Sequence, residues 1–150
     1  MNLTENFTLD EMIKSQTAER KGIDNYPDKD QIENLKLLAE NILQPIRDKF
    51  GAFIVSSGFR SPDLCYAIGS NGKTSQHAKG QAADFEVSGI DNYDLARWIE
   101  SNLPFDQLIL ECYKPPNKNS GWIHCSYVHE PRKETLTYHR DTGYQKGLLA

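Results

Sequence analysis

Ser75-Gln76-His77-Ala78-Lys79-Gly80-Gln81-Ala82-Ala83-Asp84-Phe85-Glu86-Val87 is the stretch on which the reading of this chain turns. Its second half alternates. In a β-strand successive side chains point to opposite faces, so Ala83, Phe85 and Val87 form a core face while Ala82, Asp84 and Glu86 share the other. The segment Gly121-Trp122-Ile123-His124-Cys125-Ser126-Tyr127 repeats the pattern, with Trp122, His124 and Ser126 on one face and Ile123, Cys125 and Tyr127 on the opposite one. Asp84 and His124 are therefore expected on the open face of one sheet. His77 lies seven residues before Asp84, and Gly80 between them lets the chain turn back. Two imidazoles and a carboxylate suit a zinc ion used for hydrolysis, which takes three His/Asp/Glu ligands and keeps a fourth position for water. Spacing by itself leaves the ordinary alternative open, in which each histidine is a surface or hydrogen-bonded residue. The helical His-Glu-x-x-His arrangement is absent.

Around this stretch the chain reads as α+β. Phe53–Ser57, Ala83–Val87, Gln107–Glu111 and Gly121–Tyr127 carry strand signals. Phe7–Ile13 reads as a short helix with Thr8 as N-cap and Glu11 at the capping-box position. Ile23–Pro27 reads as a loop. Leu35, Leu38, Ile42 and Ile46 predict an amphipathic helix that Asp30 caps and Gly51 ends, with Pro45 kinking it or ending its regular part early. A further helix is expected over Tyr93–Ser101, capped by Asn92. Helices come first and strands interleave later, which predicts a mainly antiparallel sheet with helices on one face and the site on the other.

At 150 residues, with six phenylalanines, seven tyrosines and two tryptophans, the chain has the size and composition of one folded domain, here 1–150. Its net charge of -4 gives no basic field for phosphates, so nucleic acid is not an expected partner. No apolar run approaches the roughly 18 residues that span a bilayer, so no membrane insertion is expected, and Met1–Asn6 lacks the basic and apolar regions of a secretion signal. Cys65, Cys112 and Cys125 lack paired metal or redox spacing and read as free thiols.

Ser75-x-His77-x-x-Gly80-x-Ala82-x-Asp84 followed by Trp122-x-His124 resembles the signature of peptidase family M15, zinc D-alanyl-D-alanine carboxypeptidases and related peptidoglycan peptidases with a hedgehog-like fold. Ser57-Gly58-Phe59-Arg60-Ser61-Pro62 is similar to the family's Ser-Gly-Tyr-Arg-Ser stretch, and Phe105–Ile109 to its strand before the last histidine. Phe7–Ala18 and Gly22–Asn25 resemble its bacterial and phage branch, so the likeness covers most of residues 7–128.

The resemblance implies one zinc ion held by His77, Asp84 and His124, and Arg60 on a substrate carbonyl or carboxylate. Ser75 and Trp122 are further substrate-binding candidates. Many relatives carry a carboxylate three residues before the final histidine, where this chain has Gly121. Glu111 is the expected general base, with Glu86 in reserve; His129 and His139 are expected at the surface. Lys114–Ser120 reads as a cleft rim or an ordinary solvated loop. The implied substrate is a peptidoglycan peptide, cut by carboxypeptidase or endopeptidase action, with a monomer expected. A chain made in the cytoplasm without a signal peptide would act on the wall after release, as an endolysin, or within a phage particle. Gly121 leaves open a non-catalytic zinc-binding or virion structural module on the same fold.

Overall fold

The computed structural model describes residues 1–150, and its centre is one six-stranded sheet in the order β1-β2-β4-β3-β5-β6. The strands are β1 Ile54–Ser57, β2 Ala82–Glu86, β3 Gln107–Glu111, β4 Trp122–Ser126, β5 Glu134–His139 and β6 Gly143–Lys146. All neighbours run antiparallel except β3 and β5, which are parallel. Helices α1 Leu9–Ile13, α2 Gln16–Lys21, α3 Lys29–Leu38, α4 Gln44–Phe50, α5 Pro62–Ala67 and α6 Asn92–Asn102 complete the fold. The architecture is the α+β arrangement expected.

The alternation read from the sequence decides which face is core. Ala83, Phe85, Leu108, Leu110, Ile123 and Cys125 are buried against Leu35, Leu38, Ile42 and Ile46 of the long helical segment and Leu95 and Ile99 of α6. Burying each of the Leu, Ile and Phe side chains stabilises by about 1.5–3 kcal/mol, an upper estimate because the unfolded chain already covers part of this surface. The reverse face carries Asp84, Ile109, Glu111, Trp122 and His124 and is left for the site.

Several local expectations are corrected. The N-cap of α3 is Asp28 rather than Asp30: its side chain accepts from the Gln31 amide, and the Gln31 side chain accepts from the Asp28 amide. Asp91, not Asn92, caps α6. Asn92 is buried, and its side-chain amide reaches Glu86 and the carbonyls of Ser120 and Gly121. Pro45 neither ends the long helix nor breaks it. A π turn over Ala39–Leu43 precedes it, with the Gln44 amide reaching back to the Ala39 carbonyl, and the widened turn accommodates the ring and the missing N–H. The hairpin β5–β6 lies beyond the last strand expected, and His139 belongs to it; His129 is exposed. All three cysteines are free, Cys65 and Cys125 buried, and burial pushes the Cys125 thiol far above its ordinary pKa.

Candidate metal centre and its cleft

Strand pairing builds two thirds of the site. In the β2–β4 register Asp84 stands directly opposite His124, and the His124 ring nitrogen Nδ1 lies 3.0 Å from Asp84 Oδ1. His77 comes from a 3₁₀ turn, Gln76–Lys79, closed by Gly80 at φ 74°. That turn packs so tightly on α3 that a Cβ at Gly80 would meet the Gln31 carbonyl oxygen, so glycine is required by backbone angle and by space. The Gln31 and Asn34 side chains hold the Ala78 and Lys79 carbonyls of the same turn.

The result is a group of three donor atoms, from His77, Asp84 and His124, all within 4.8 Å of one another. His77 is buried, and its Nδ1 donates to the Gly58 carbonyl at 2.7 Å. This bond fixes the tautomer, so Nε2 carries the lone pair. Nε2 has no hydrogen-bond partner and stands 3.4 Å from Asp84 Oδ1. A buried, unpartnered nitrogen lone pair beside a carboxylate and a second imidazole fits a cation, and the two-nitrogen, one-oxygen donor set is that of catalytic zinc sites. Burial lowers the His77 pKa despite the adjacent Asp84, which keeps the ring neutral and able to ligate. Burial alone would raise Asp84; hydrogen bonding to His124 outweighs it and holds the carboxyl well below the ordinary range.

Arg60 reaches the same centre from the other side, with Nη2 3.8 Å from Asp84 Oδ2. Its backbone amide donates to the His77 carbonyl. Asn25 clamps the loop, donating to the Ile13 and Phe59 carbonyls and accepting from the Ser61 amide. The loop carrying Arg60 and the turn carrying His77 are thus tied to each other and to the end of α1.

These residues open into a cleft of about 650 Å³ that also exposes Ser75, Glu111 and Trp122. Every expected metal-ligating, catalytic and substrate-binding residue therefore lies in one cleft. Trp122 stands opposite Glu111 in the β3–β4 register, and its Nε1–H donates to Glu111 Oε2 at 2.8 Å. Burial, followed by the negative charge of Asp84, raises the Glu111 pKa above the ordinary carboxylate value. Glu86, the reserve base, is not in the cleft; the Asn92 amide holds it at 3.2 Å. Nor does Lys114–Ser120 form a rim: it closes on itself through the Ser120 hydroxyl and against the start of α6.

Gly121 explains the missing carboxylate in structural terms. Its φ is 69°, and a Cβ there would collide with the carbonyl oxygen of Glu111. The position admits glycine alone, and the carboxylate beside the donors is supplied by the strand against which Gly121 packs.

The cleft also contains residues the sequence reading did not single out. Gln107 and Ile109 continue its floor along β3; Arg132 borders one end, and Tyr144, tilted against Tyr138 at 4.7 Å between ring centres, borders it from β6. Burial and then the Glu111 charge raise the Tyr144 pKa. The one signal available for Tyr144 was Asp141-Thr142-Gly143, a turn sequence of the kind that joins hairpin strands.

An α+β sheet with a His/Asp/His donor group on its open face and an acid and an arginine beside it defines a metallopeptidase class of site. The family model described as Peptidase M15 matches residues 5–126, which includes all three donors, Arg60 and Glu111. The chain belongs to this peptidase family. A comparison with curated proteins finds no match.

Proposed function

We propose that residues 1–150 form one catalytic unit that hydrolyses peptide bonds of bacterial peptidoglycan stem peptides with a single zinc ion, as a D-Ala-D-Ala carboxypeptidase or an L-Ala-D-Glu-type endopeptidase of phage-derived, cell-wall-lytic kind. The observation that carries the reading is the orphaned Nε2 of His77, buried beside Asp84 and His124 at the head of a cleft. His77, Asp84 and His124 would hold the zinc. When bound, the ion supplies Lewis acidity that makes hydroxide available near neutral pH.

Glu111 takes the proton of the attacking water and returns it to the leaving amine. Its raised pKa brings it nearer the operating pH, where a general base transfers protons most effectively. The indole N–H of Trp122 fixes Oε2 and leaves Oε1 to accept the proton. Arg60 offers guanidinium donors to the substrate's carbonyl oxygen or carboxylate. Ser75, whose hydroxyl does not cap the turn that follows, is free to donate to the peptide, and the exposed face of Trp122 to pack against it.

The test is digestion of purified peptidoglycan by the zinc-loaded protein, read by mass analysis of the fragments. Loss of a terminal alanine identifies the carboxypeptidase, and a severed stem or bridge the endopeptidase. Glu111→Gln keeps the acceptor for Trp122 but cannot take a proton. It should lose about 10²–10⁴ of the turnover while binding zinc as the parent does. Full turnover in that variant removes Glu111 from the mechanism. No release of peptide or amine under any metal condition overturns the hydrolase reading and favours a non-catalytic module.

A further inference from the structure

Arg132 is held more rigidly than an exposed arginine ordinarily is. Its side chain is 57% exposed, yet its backbone N–H, Nε and Nη2 all donate to Asp106, at 3.0, 3.0 and 2.8 Å. Asp106 is itself buried and takes a fourth bond from Gln76, the residue before His77, at 2.9 Å. These bonds hold Asp106 ionised, its pKa lowered to about 2 against the opposing effect of burial. Nη1 remains without a hydrogen bond of its own, because its nearest anion, Glu134 Oε1, is 3.9 Å away and already accepts from Gln107 at 2.7 Å. A guanidinium locked by one carboxylate, with a free donor at a cleft wall, is preorganised for a second anion.

Its place along the cleft is set by β3. Ile109 faces His124 in the strand register, while Gln107, paired with Glu134, lies two residues away, about 7 Å along the strand. The cleft lining bears three cations, Arg60, Lys79 and Arg132, against two carboxylates, Asp84 and Glu111, in a chain whose net charge is -4. Asp106 offsets the charge of Arg132, so what this residue offers an anion is its oriented, unbonded Nη1 donor rather than net positive charge.

We infer that Arg132 is a specificity residue that receives a carboxylate of the substrate peptide at the Gln107 end of the cleft, about two residues along an extended chain from the metal-donor group. The inference rests on the peptidase reading given above. Arg60 serves the reacting carbonyl level; Arg132 reads an acidic group further along. Its segment lies outside the residues matched by the family model.

The test uses a panel of synthetic stem peptides in which each carboxylate in turn is replaced by a carboxamide. The zinc-loaded protein should cleave one carboxylate peptide about tenfold more efficiently than its amide, and Arg132→Gln should abolish that preference. The ratio of two substrates within one sample is independent of the folded fraction. Glu134→Gln, at an exposed strand end, removes the competing anion and should raise the preference a few-fold, which decides the matter if Arg132→Gln fails to fold. NMR titration of the same peptide pairs into metal-free protein supplies a readout without turnover. Discrimination in binding with no cleavage would sink the peptidase reading and leave the carboxylate site standing. A preference unchanged in both variants, or absent from the parent protein, overturns the role of Arg132.

Discussion

Replacing Trp122 by Phe tests the assignment of Glu111 through an acid–base quantity that a merely structural residue would not move. Trp122 Nε1–H donates to Glu111 Oε2 at 2.8 Å, a bond that favours the carboxylate and so opposes the upward push of burial and Asp84. Phenylalanine keeps an aromatic ring beside the carboxylate, so desolvation changes little, but removes the donor. A neutral donor to a partly exposed carboxylate contributes about 1 kcal/mol, which at 1.36 kcal/mol per pKa unit is about 0.7 pH. The base works deprotonated, so with the stabilising bond gone its pKa rises, and the acid limb of kcat/KM moves up by about 0.7 pH. The plateau falls with the lost packing of Trp122 against the peptide, and relative to its own plateau the variant is depressed about fivefold further than the parent on the acid side. The assay is kcat/KM for a single stem peptide across the acid range with zinc held saturating. An acid limb that stays in place, or moves down, refutes both the Glu111 base and the role of Trp122 in tuning it.

Three further outcomes are expected. Gly121→Ala forces a side chain into a left-handed backbone and against the Glu111 carbonyl, and should cost on the order of 2–4 kcal/mol in urea unfolding; Gly121→Glu should likewise fail to restore turnover to Glu111→Gln. Asp106 has a folded pKa of about 2, below the ordinary carboxylate value, so its stabilising effect is present at neutral pH and is lost as pH falls from about 4 through about 2. Asp106→Asn should therefore be less stable than the parent at pH 7 by roughly 1–2 kcal/mol, with the two unfolding curves converging towards pH 2. Zinc at about a thousandfold its dissociation constant should stabilise the parent by about 4 kcal/mol, and chelation should reverse this; His124→Ala should remain folded but show neither bound zinc by elemental analysis nor the stabilisation.

What could be read from the sequence divides along a physical line. Period-two alternation over Ala83–Val87 and Trp122–Ser126 reports which face is buried, and it placed Asp84 and His124 on one open face, where the register sets them directly opposite each other. Alternation cannot report which strands are neighbours; the β3–β4 pairing that brings Trp122 to Glu111 comes from the tertiary fold. The β5–β6 hairpin was missed because it is an edge element in which only Thr137 is fully buried, so its pattern lacks the apolar face that marks a strand. With it went Tyr144 and Arg132. The Asp28-x-x-Gln31 capping box is legible in the sequence and prevails over Asp30, whereas the π turn ahead of Pro45 follows from no local rule and depends on how the long helix packs.

The same contacts show what positions the His77 donor independently of the other two. Gly58 fixes the His77 tautomer, the His77 carbonyl holds the Arg60 amide, and Asn25 anchors the Arg60 loop to α1, so the position of Nε2 is determined by bonds that do not involve Asp84 or His124. A protein that keeps a nitrogen lone pair buried without a partner bears a cost of about 1–3 kcal/mol. A hydrogen-bonded glutamine or an apolar residue in that position would avoid it. The cost is recovered when a cation binds, since ligation replaces the missing hydrogen bond and little side-chain ordering is still to be done. A fold that pairs every buried polar atom and one that keeps a lone pair for a cation therefore diverge at His77: a His77→Gln protein should be at least as stable as the metal-free parent, yet gain nothing from zinc.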